Sequence, residues 1–301
     1  MIPIPYLTKK NMKPTTNTSF GSFAFMGTPR FAVYVLEELE LRGHVPSVVF
    51  CAPDKPTGRK RILTAPLSKE WAKARGIPTE QPANKKELEL AIARHTFVIS
   101  IVAAYNIIIS PHALKKPTYG TLNIHPSLLP KWRGPTPIQA ALLAGDTHTG
   151  VCIMVLDEKI DHGPILGCEK LTLIGTENYL ELEETLARKG GALLDTLVPK
   201  WIDGTISLAP QDHIRATYSK KYTVKDAHVN LIDDNPQEIE RKVRAFNPEP
   251  GAWAMVKTKN GIKRIKILSG ACTKEGAYTP FHIIPESKSA MLWSDFIRGN
   301  Q

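Results

Sequence analysis

Two side chains suited to a carbonyl and a proton stand two residues apart in Thr121-Leu122-Asn123-Ile124-His125, and a carboxylate follows in Asp157-Glu158-Lys159-Ile160-Asp161-His162-Gly163-Pro164. In a strand, residues i and i+2 face one side, so Asn123 and His125 are expected to project together. Pro126 cannot donate to a sheet ladder, so the strand should stop at the histidine and leave it on the rim. Asn123 carries an amide N–H that can donate to an oxygen gaining charge in a tetrahedral intermediate. His125 can exchange a proton near neutral pH. Asp161 can hold the imidazole's tautomer or keep it charged, as the carboxylate of a serine triad does. Each has a plainer reading when taken singly: a strand-end Asn bonded to its own turn, a packed His, an Asp that forms a turn. The sequence offers no Ser or Cys in a nucleophile elbow, no HExxH and no acidic metal cluster. Direct transfer between two bound substrates, by positioning, an oxyanion donor and acid–base help, is the chemistry left.

A frame for these groups can be read along the chain. Residues 23–26 form an apolar strand, Gly27-Thr28-Pro29 a turn, and residues 31–42 a helix with Phe31, Val35, Leu36 and Leu39 on one face. The turn is half of a phosphate-cradling loop, without GxGxxG or a Walker lysine, and argues weakly for a nucleotide. Residues 47–51 read as a second strand, giving a βαβ opening that predicts a parallel sheet with a right-handed crossover. A basic loop (53–65), a helix (66–75) and strands at 97–102 and 121–124 continue the alternation. The result is an open, doubly wound α/β sheet whose ligand site lies at the carboxyl ends of its strands, where Gly27, Tyr105 and His125 fall. A helix (136–144), strands at 151–156 and 165–173 flanking the Asp161 loop, and a long helix (178–203) follow. After Pro210 the texture changes to a basic linker, a helix (236–245) and strand-like segments over 253–268 broken at Asn260-Gly261, a hairpin turn. The expected organisation is an N-terminal extension (1–21), a catalytic domain (22–210), a linker (211–225) and a smaller strand-rich domain (226–301).

At 301 residues with 42% hydrophobic content the chain can bury a real core. Its longest apolar stretch, residues 97–109, falls short of the roughly 20 residues that span a bilayer, so no membrane segment is expected. Residues 1–21 carry Lys9, Lys10 and Lys13 without an acid or a continuous apolar run, and read as a disordered extension with Met12 an alternative start. Cys51, Cys152, Cys168 and Cys272 are widely spaced with no CxxC pair, which indicates neither a zinc site nor a disulfide framework but reduced cytosolic thiols. A formal charge of +10 suggests a polyanionic partner. That charge is concentrated at Lys55, Arg59, Lys60 and Arg61, and again at Lys257, Lys259, Lys263, Arg264 and Lys266.

Four motifs carry a resemblance. They are Phe25-Met26-Gly27-Thr28-Pro29-Arg30-Phe31-Ala32; Pro53-Asp54-Lys55-Pro56-Thr57-Gly58-Arg59; Asn123-Ile124-His125-Pro126-Ser127-Leu128-Leu129-Pro130-Lys131-Trp132-Arg133-Gly134; and Arg244-Ala245-Phe246-Asn247-Pro248-Glu249-Pro250-Gly251-Ala252-Trp253. From residue 23 onward the chain resembles the folate-dependent formyltransferases, and the first, second and fourth motifs resemble the branch that acts on tRNA. The resemblance implies a Rossmann-like sheet followed by an OB-like barrel. It implies formyl transfer from 10-formyltetrahydrofolate, as cosubstrate and without metal, to the α-amino group of methionine on initiator tRNA. Asn123 would then bind the formyl oxygen, His125 would assist with charge and proton transfer, and Asp161 would orient the histidine and help strip the attacking ammonium. Ser127, Leu128, Leu129 and Pro130, with Val102, Ala103 and Asp157, would line the folate pocket. Lys55, Arg59, Lys60 and Arg61 would meet the acceptor stem, and Lys263, Arg264 and Lys266 the tRNA backbone.

Two departures stand out. Tyr105-Asn106 replaces the family's Tyr-Gly, which puts a positive φ at Asn106, and the barrel is about two strands short. A cytoplasmic monomer is expected. The other readings are a formyltransferase acting on a small amine such as an amino sugar nucleotide, and an RNA-binding relative with an idle core.

Overall fold

The computed structural model describes residues 20–58 and 61–300. Its first strand, β1 (Phe23–Met26), is buried along its whole length, as an all-apolar run at the centre of a parallel sheet must be. Helix α1 (Arg30–Leu41) buries Phe31, Ala32, Val35, Leu36 and Leu39 and returns the chain to β2 (Val48–Phe50), which pairs parallel with β1. The basic segment expected as a loop is instead a hairpin of β3 (Lys55–Thr57) and β4 (Ile62–Thr64). Thr57 and Thr64 bond diagonally across it at 2.5 Å, a local pairing that the run of charges hid.

Helix α2 (Leu67–Lys73), β5 (Thr79–Glu80), α3 (Lys85–Ala93), β6 (Ile99–Val102), α4 (Pro111–Lys115) and β7 (Thr121–His125) follow. Next come α5 (Pro137–Ala144), β8 (His148–Val155), β9 (Ile165–Thr172) and the 24-residue α6 (Tyr179–Ile202), which a capping box at Asn178 and Glu181 starts. The seven strands lie in the order β5-β2-β1-β6-β7-β8-β9. The first five run parallel, whereas β7, β8 and β9 pair antiparallel. One face packs on α1 and α6 through Val35, Leu36, Leu122, Ile124, Leu186 and Leu194. The other packs on α3 and α4 through Phe50, Leu88, Ile92 and Ala113.

A 3₁₀ turn (His213–Arg215) lies in the connection to the C-terminal part. There α7 (Pro236–Phe246) and α8 (Trp293–Arg298) accompany an antiparallel sheet in the order β10 (Trp253–Thr258), β11 (Gly261–Cys272), β12 (Tyr278–Pro285) and β13 (Met291–Leu292). Four strands are fewer than a closed OB barrel needs, in line with the short sequence after Gly270. Ile239, Val243, Ile265, Ile267, Ile283 and Phe296 form its core, and α7 also packs against α5.

Three further expectations are corrected. Phe20 is fully buried and stacks on His44 at 3.8 Å, so the fold begins within the segment assigned to a disordered extension; residues 1–19 lie outside the described residues. Cys152 and Cys168, for which the spacing indicated no bond, form a disulfide, because the antiparallel return of β9 sets them opposite one another at a Cα separation of 4.0 Å. Cys51 and Cys272 are free. The positive φ lies at Ala104 (52°), not at Asn106. No described helix is long and apolar enough to cross a membrane.

Candidate active site

Strand β7 carries Asn123 and His125 to its carboxyl end and stops before Pro126, which has no N–H to give the ladder, as expected. His125 is 4% exposed, and its Nε2 lies 2.9 Å from the Trp132 carbonyl. A carbonyl only accepts, so Nε2 carries the proton and Nδ1 is the free nitrogen. Nδ1 faces Asp161 Oδ1 at 3.7 Å, too far for a hydrogen bond but close enough for the carboxylate to attract the ring once Nδ1 takes up a proton. Trp132, rather than Asp161, therefore orients the imidazole. The other Asp161 oxygen, Oδ2, accepts from the Gly134 N–H at 2.7 Å. Asp161 itself holds φ 47°, a left-handed turn that aims its side chain back at β7. Gly134 has φ 103°, and a Cβ there would meet the Ser219 carbonyl oxygen at 2.8 Å, so a glycine must stand at this point. Asn123 is half-buried, and its amide makes no hydrogen bond to another described residue.

A cavity of about 590 Å³ reaches the Asp161 loop through Asp157 and His162 and is lined further by Leu114, Thr121, Val155 and Leu156, but not by Asn123, His125 or Asp161 themselves. Its volume suits a small organic ligand. Thr121 shares the face of β7 with Asn123, and Asp157 belongs to the loop of Asp161. Asp157 accepts from the Lys159 N–H at 2.9 Å and meets His162 Nδ1 at 2.6 Å. Of the residues expected around folate, Asp157 lines this cavity. Val102 and Ala103 are buried at the end of β6, Ser127 donates to the Lys131 carbonyl, Leu128 lies over Gly150, Leu129 is buried against Cys152 and Met154, and Pro130 follows in the same loop. None of these six lines the cavity. Leu114, Thr121 and Leu156 had no motif to betray them, although two of them stand at strand ends. Burial raises the pKa of the Tyr105 phenol, which therefore stays protonated near neutral pH.

The connection after Pro210 belongs to the site's scaffold. Arg133 N–H donates to the Thr217 carbonyl at 2.9 Å, Ser219 N–H to the Arg133 carbonyl at 2.7 Å, and Thr136 N–H to Ser219 Oγ at 3.0 Å. Trp132 N–H donates to Thr217 Oγ1 at 2.9 Å. The segment thus lies along the 130–136 loop like an added strand. Sequence reading treated it as a basic linker, since a pairing between loops leaves no periodicity.

The basic residues are dispersed. Lys55 and Arg61 lie on the β3–β4 hairpin, whose base is tied by Asp54 to Lys69 at 2.8 Å and to Gln81 at 2.7 Å; Arg59 and Lys60 lie outside the described residues. These hydrogen bonds, Lys69 first and Gln81 second, lower the Asp54 pKa. On β11, Lys263 donates to Asn300 Oδ1 at 2.6 Å, Lys266 to the Pro248 carbonyl at 2.6 Å, and Arg264 sits 4.1 Å over the Trp253 ring. Alternation sets Arg264 and Lys266 on one face and Lys263 on the other. No group of three or more His, Cys, Asp or Glu among the described residues is placed to hold a metal ion.

Comparison with known proteins agrees with this arrangement. Residues 22–198 match the formyl transferase family model and residues 221–292 that of the formyl transferase C-terminal domain. A methionyl-tRNA formyltransferase of Chloroflexus aurantiacus is 38% identical over 88% of this chain and 85% of its own length. One of Myxococcus xanthus is 34% identical over 92% and 94%. Among solved structures, HypX from Aquifex aeolicus in complex with tetrahydrofolic acid superposes with a TM-score of 0.62 at 16% identity, over 91% of this chain and 46% of that one, so this chain spans about half its length. An N-formyltransferase from Helicobacter canadensis, in complex with folinic acid and dTDP-3-aminofucose, gives 0.61 at 18% identity over 87% and 94%. The protein is a member of the formyl transferase family.

Proposed function

We propose that this protein transfers the formyl group of 10-formyltetrahydrofolate to the α-amino group of methionyl initiator tRNA. The observation that carries the reading is the His125 Nδ1 facing the Asp161 carboxylate at 3.7 Å, beside an Asn123 amide with no described hydrogen-bond partner. Relatives named methionyl-tRNA formyltransferase that align along most of the chain support it.

The substrate amine arrives as an ammonium and must lose a proton before it attacks. Asp161 and His125 Nδ1 take that proton; the amine lone pair then forms a bond to the formyl carbon, and the carbonyl electrons move to oxygen. The Asn123 N–H donates to that oxygen, a contact stronger in the intermediate than in the ground state. The attacking nitrogen loses its second proton to solvent; collapse then re-forms the carbonyl and breaks the bond to the folate nitrogen, which takes up the proton held at the His125–Asp161 pair. The folate binds in the cavity lined by Asp157 and extends against Val102, Ala103, Ser127, Leu128, Leu129 and Pro130. Lys55, Arg59, Lys60 and Arg61 meet the acceptor end, and Lys263, Arg264 and Lys266 the backbone. In this reading residues 22–210 are the catalytic domain, 226–301 the tRNA-binding domain, and the protein works as a cytoplasmic monomer.

The test is direct: incubate the protein with 10-formyltetrahydrofolate and with initiator or elongator methionyl-tRNA, and assay formylmethionine. Formylation of the initiator species supports the reading. No transfer to tRNA, with transfer to an amino sugar nucleotide, would replace it with the small-amine reading.

A further inference from the structure

We infer that Gln211 is a positioning residue that clips the catalytic carboxylate loop in its left-handed turn, with Arg133 and His213 holding the clip. Gln211 is 6% exposed, and its Nε2 donates to the Asp161 carbonyl at 3.0 Å and to the Gly163 carbonyl at 2.7 Å. Both carbonyls belong to the turn whose carboxylate faces His125. On the other side of the amide, Oε1 accepts from Arg133 Nε at 3.1 Å and from Nη2 at 2.6 Å. The chemistry fixes the amide's orientation: carbonyls only accept and a guanidinium only donates, so neither end can be reversed.

Arg133 is 1% exposed and has no carboxylate in ion-pair range among the described residues. Besides Gln211, its Nη2 donates to His213 Nδ1 at 2.9 Å and its Nη1 lies 3.5 Å from the Tyr218 hydroxyl. A buried arginine held by neutral acceptors is costly to bury and is kept in place by geometry rather than by a counter-charge. His213 in turn stacks on His162 at 3.9 Å, and His162 meets Asp157. Asp161, Gly163 and the cavity residue Asp157 are thereby all tied to the 211–213 segment. A non-glycine residue at φ 47° persists only where its surroundings over-determine it, and the Gln211 amide with the Gly134 N–H does that for Asp161.

The inference rests on the proposed formyl transfer. It is tested in the full-length protein with Gln211→Ala and Gln211→Glu, measuring kcat, both KM values, the pH profile and Tm. The glutamate keeps the acceptors for Arg133 but has no N–H for the two carbonyls. We expect both variants to lose about tenfold to 100-fold in kcat, the cost of a small misplacement. Both KM values should hold, the pH profile should shift as the carboxylate loop loosens, and Gln211→Glu should stay folded at the assay temperature, its ion pair with Arg133 offsetting part of the two lost hydrogen bonds. A glutamate variant with wild-type kcat and pH profile overturns the assignment, as does a loss confined to Gln211→Ala that tracks a fall in its Tm. Wild-type protein in the same assay reports on formyl transfer itself, so failure of that reading is seen separately.

Discussion

Among the described residues none hydrogen-bonds the Asn123 side chain, whereas His125 is bound through Nε2 and Asp161 through Oδ2. That difference separates two substitutions. Asn123→Ala removes a donor used in the transition state, so kcat should fall about 10²–10³-fold with Tm unchanged. Asp161→Ala removes the charge facing His125 and also leaves the Gly134 N–H without its acceptor, which costs roughly 1–3 kcal/mol. It should abolish formylation and lower Tm while circular dichroism still reports the native fold. Near-wild-type turnover in either variant would remove that residue from the chemistry. The residue types and the i, i+2 spacing were enough to pair Asn123 with His125. The Trp132 carbonyl and the Gly134 N–H were invisible because backbone groups carry no identity in a sequence.

Helix α6 shows how the elements hold that geometry. Gly190 lies against β7, where an added Cβ would come 2.5 Å from Ile124 Cγ2 and 3.2 Å from Val151 Cγ2. Ile124 sits between Asn123 and His125, so Gly190→Ala should push the helix off the catalytic strand. Overpacking costs roughly 1–3 kcal/mol, more than the roughly 1 kcal/mol gained in helix propensity. A net loss of stability, read by urea unfolding, and a lower kcat are expected; a stabilised, fully active variant would contradict this packing. Glu183 on the same helix is buried and accepts from the Tyr179 hydroxyl at 2.9 Å, and burial raises its carboxyl pKa. The folded protein thus holds this proton more tightly than the unfolded chain. The carboxyl favours folding below its unfolded pKa, and that contribution is lost as pH rises through the folded value. Glu183→Gln keeps the acceptor and cannot ionise, so it should raise Tm near pH 7–8 and lose that advantage by about pH 4. A gain independent of pH would show that the charge is not the cause. The amphipathic α1 and capped α6 were plain in the sequence. Helix α3 was not, because Lys85, Lys86, Glu87 and Glu89 dilute its apolar face.

Across the molecule the basic residues form two surfaces, and they are built differently. Lys55 and Arg61 are exposed on a free hairpin, whereas Arg264 and Lys266 are already engaged by Trp253 and the Pro248 carbonyl. Charge reversal of Lys55 and Arg61 should therefore raise the KM for tRNA about tenfold and reduce the salt slope by roughly one for each phosphate left without its cation, with the folate KM unchanged. Equal tRNA KM values and salt slopes for variant and wild type would move the acceptor-stem interaction elsewhere. The C-terminal unit is joined to the catalytic part by α7 on α5 and by the 217–219 segment on the 130–136 loop. A tRNA held by one part is held relative to the other.

Local chemistry fixed much of this: apolar runs of four residues made central strands, Pro126 ended β7, Asn260-Gly261 turned a hairpin, and Asn123 and His125 came out on one face because a strand repeats every two residues. Pairings between distant segments had no such signature. The disulfide of Cys152 and Cys168 depends on where β9 pairs with β8, the buried Arg133 finds neutral acceptors at Gln211 and His213, and Asp161 approaches His125 through a turn that only its hydrogen bonds sustain. Those pairings are chosen by the packing of the whole chain, since the free energy that selects them is shared among segments and belongs to none of them alone.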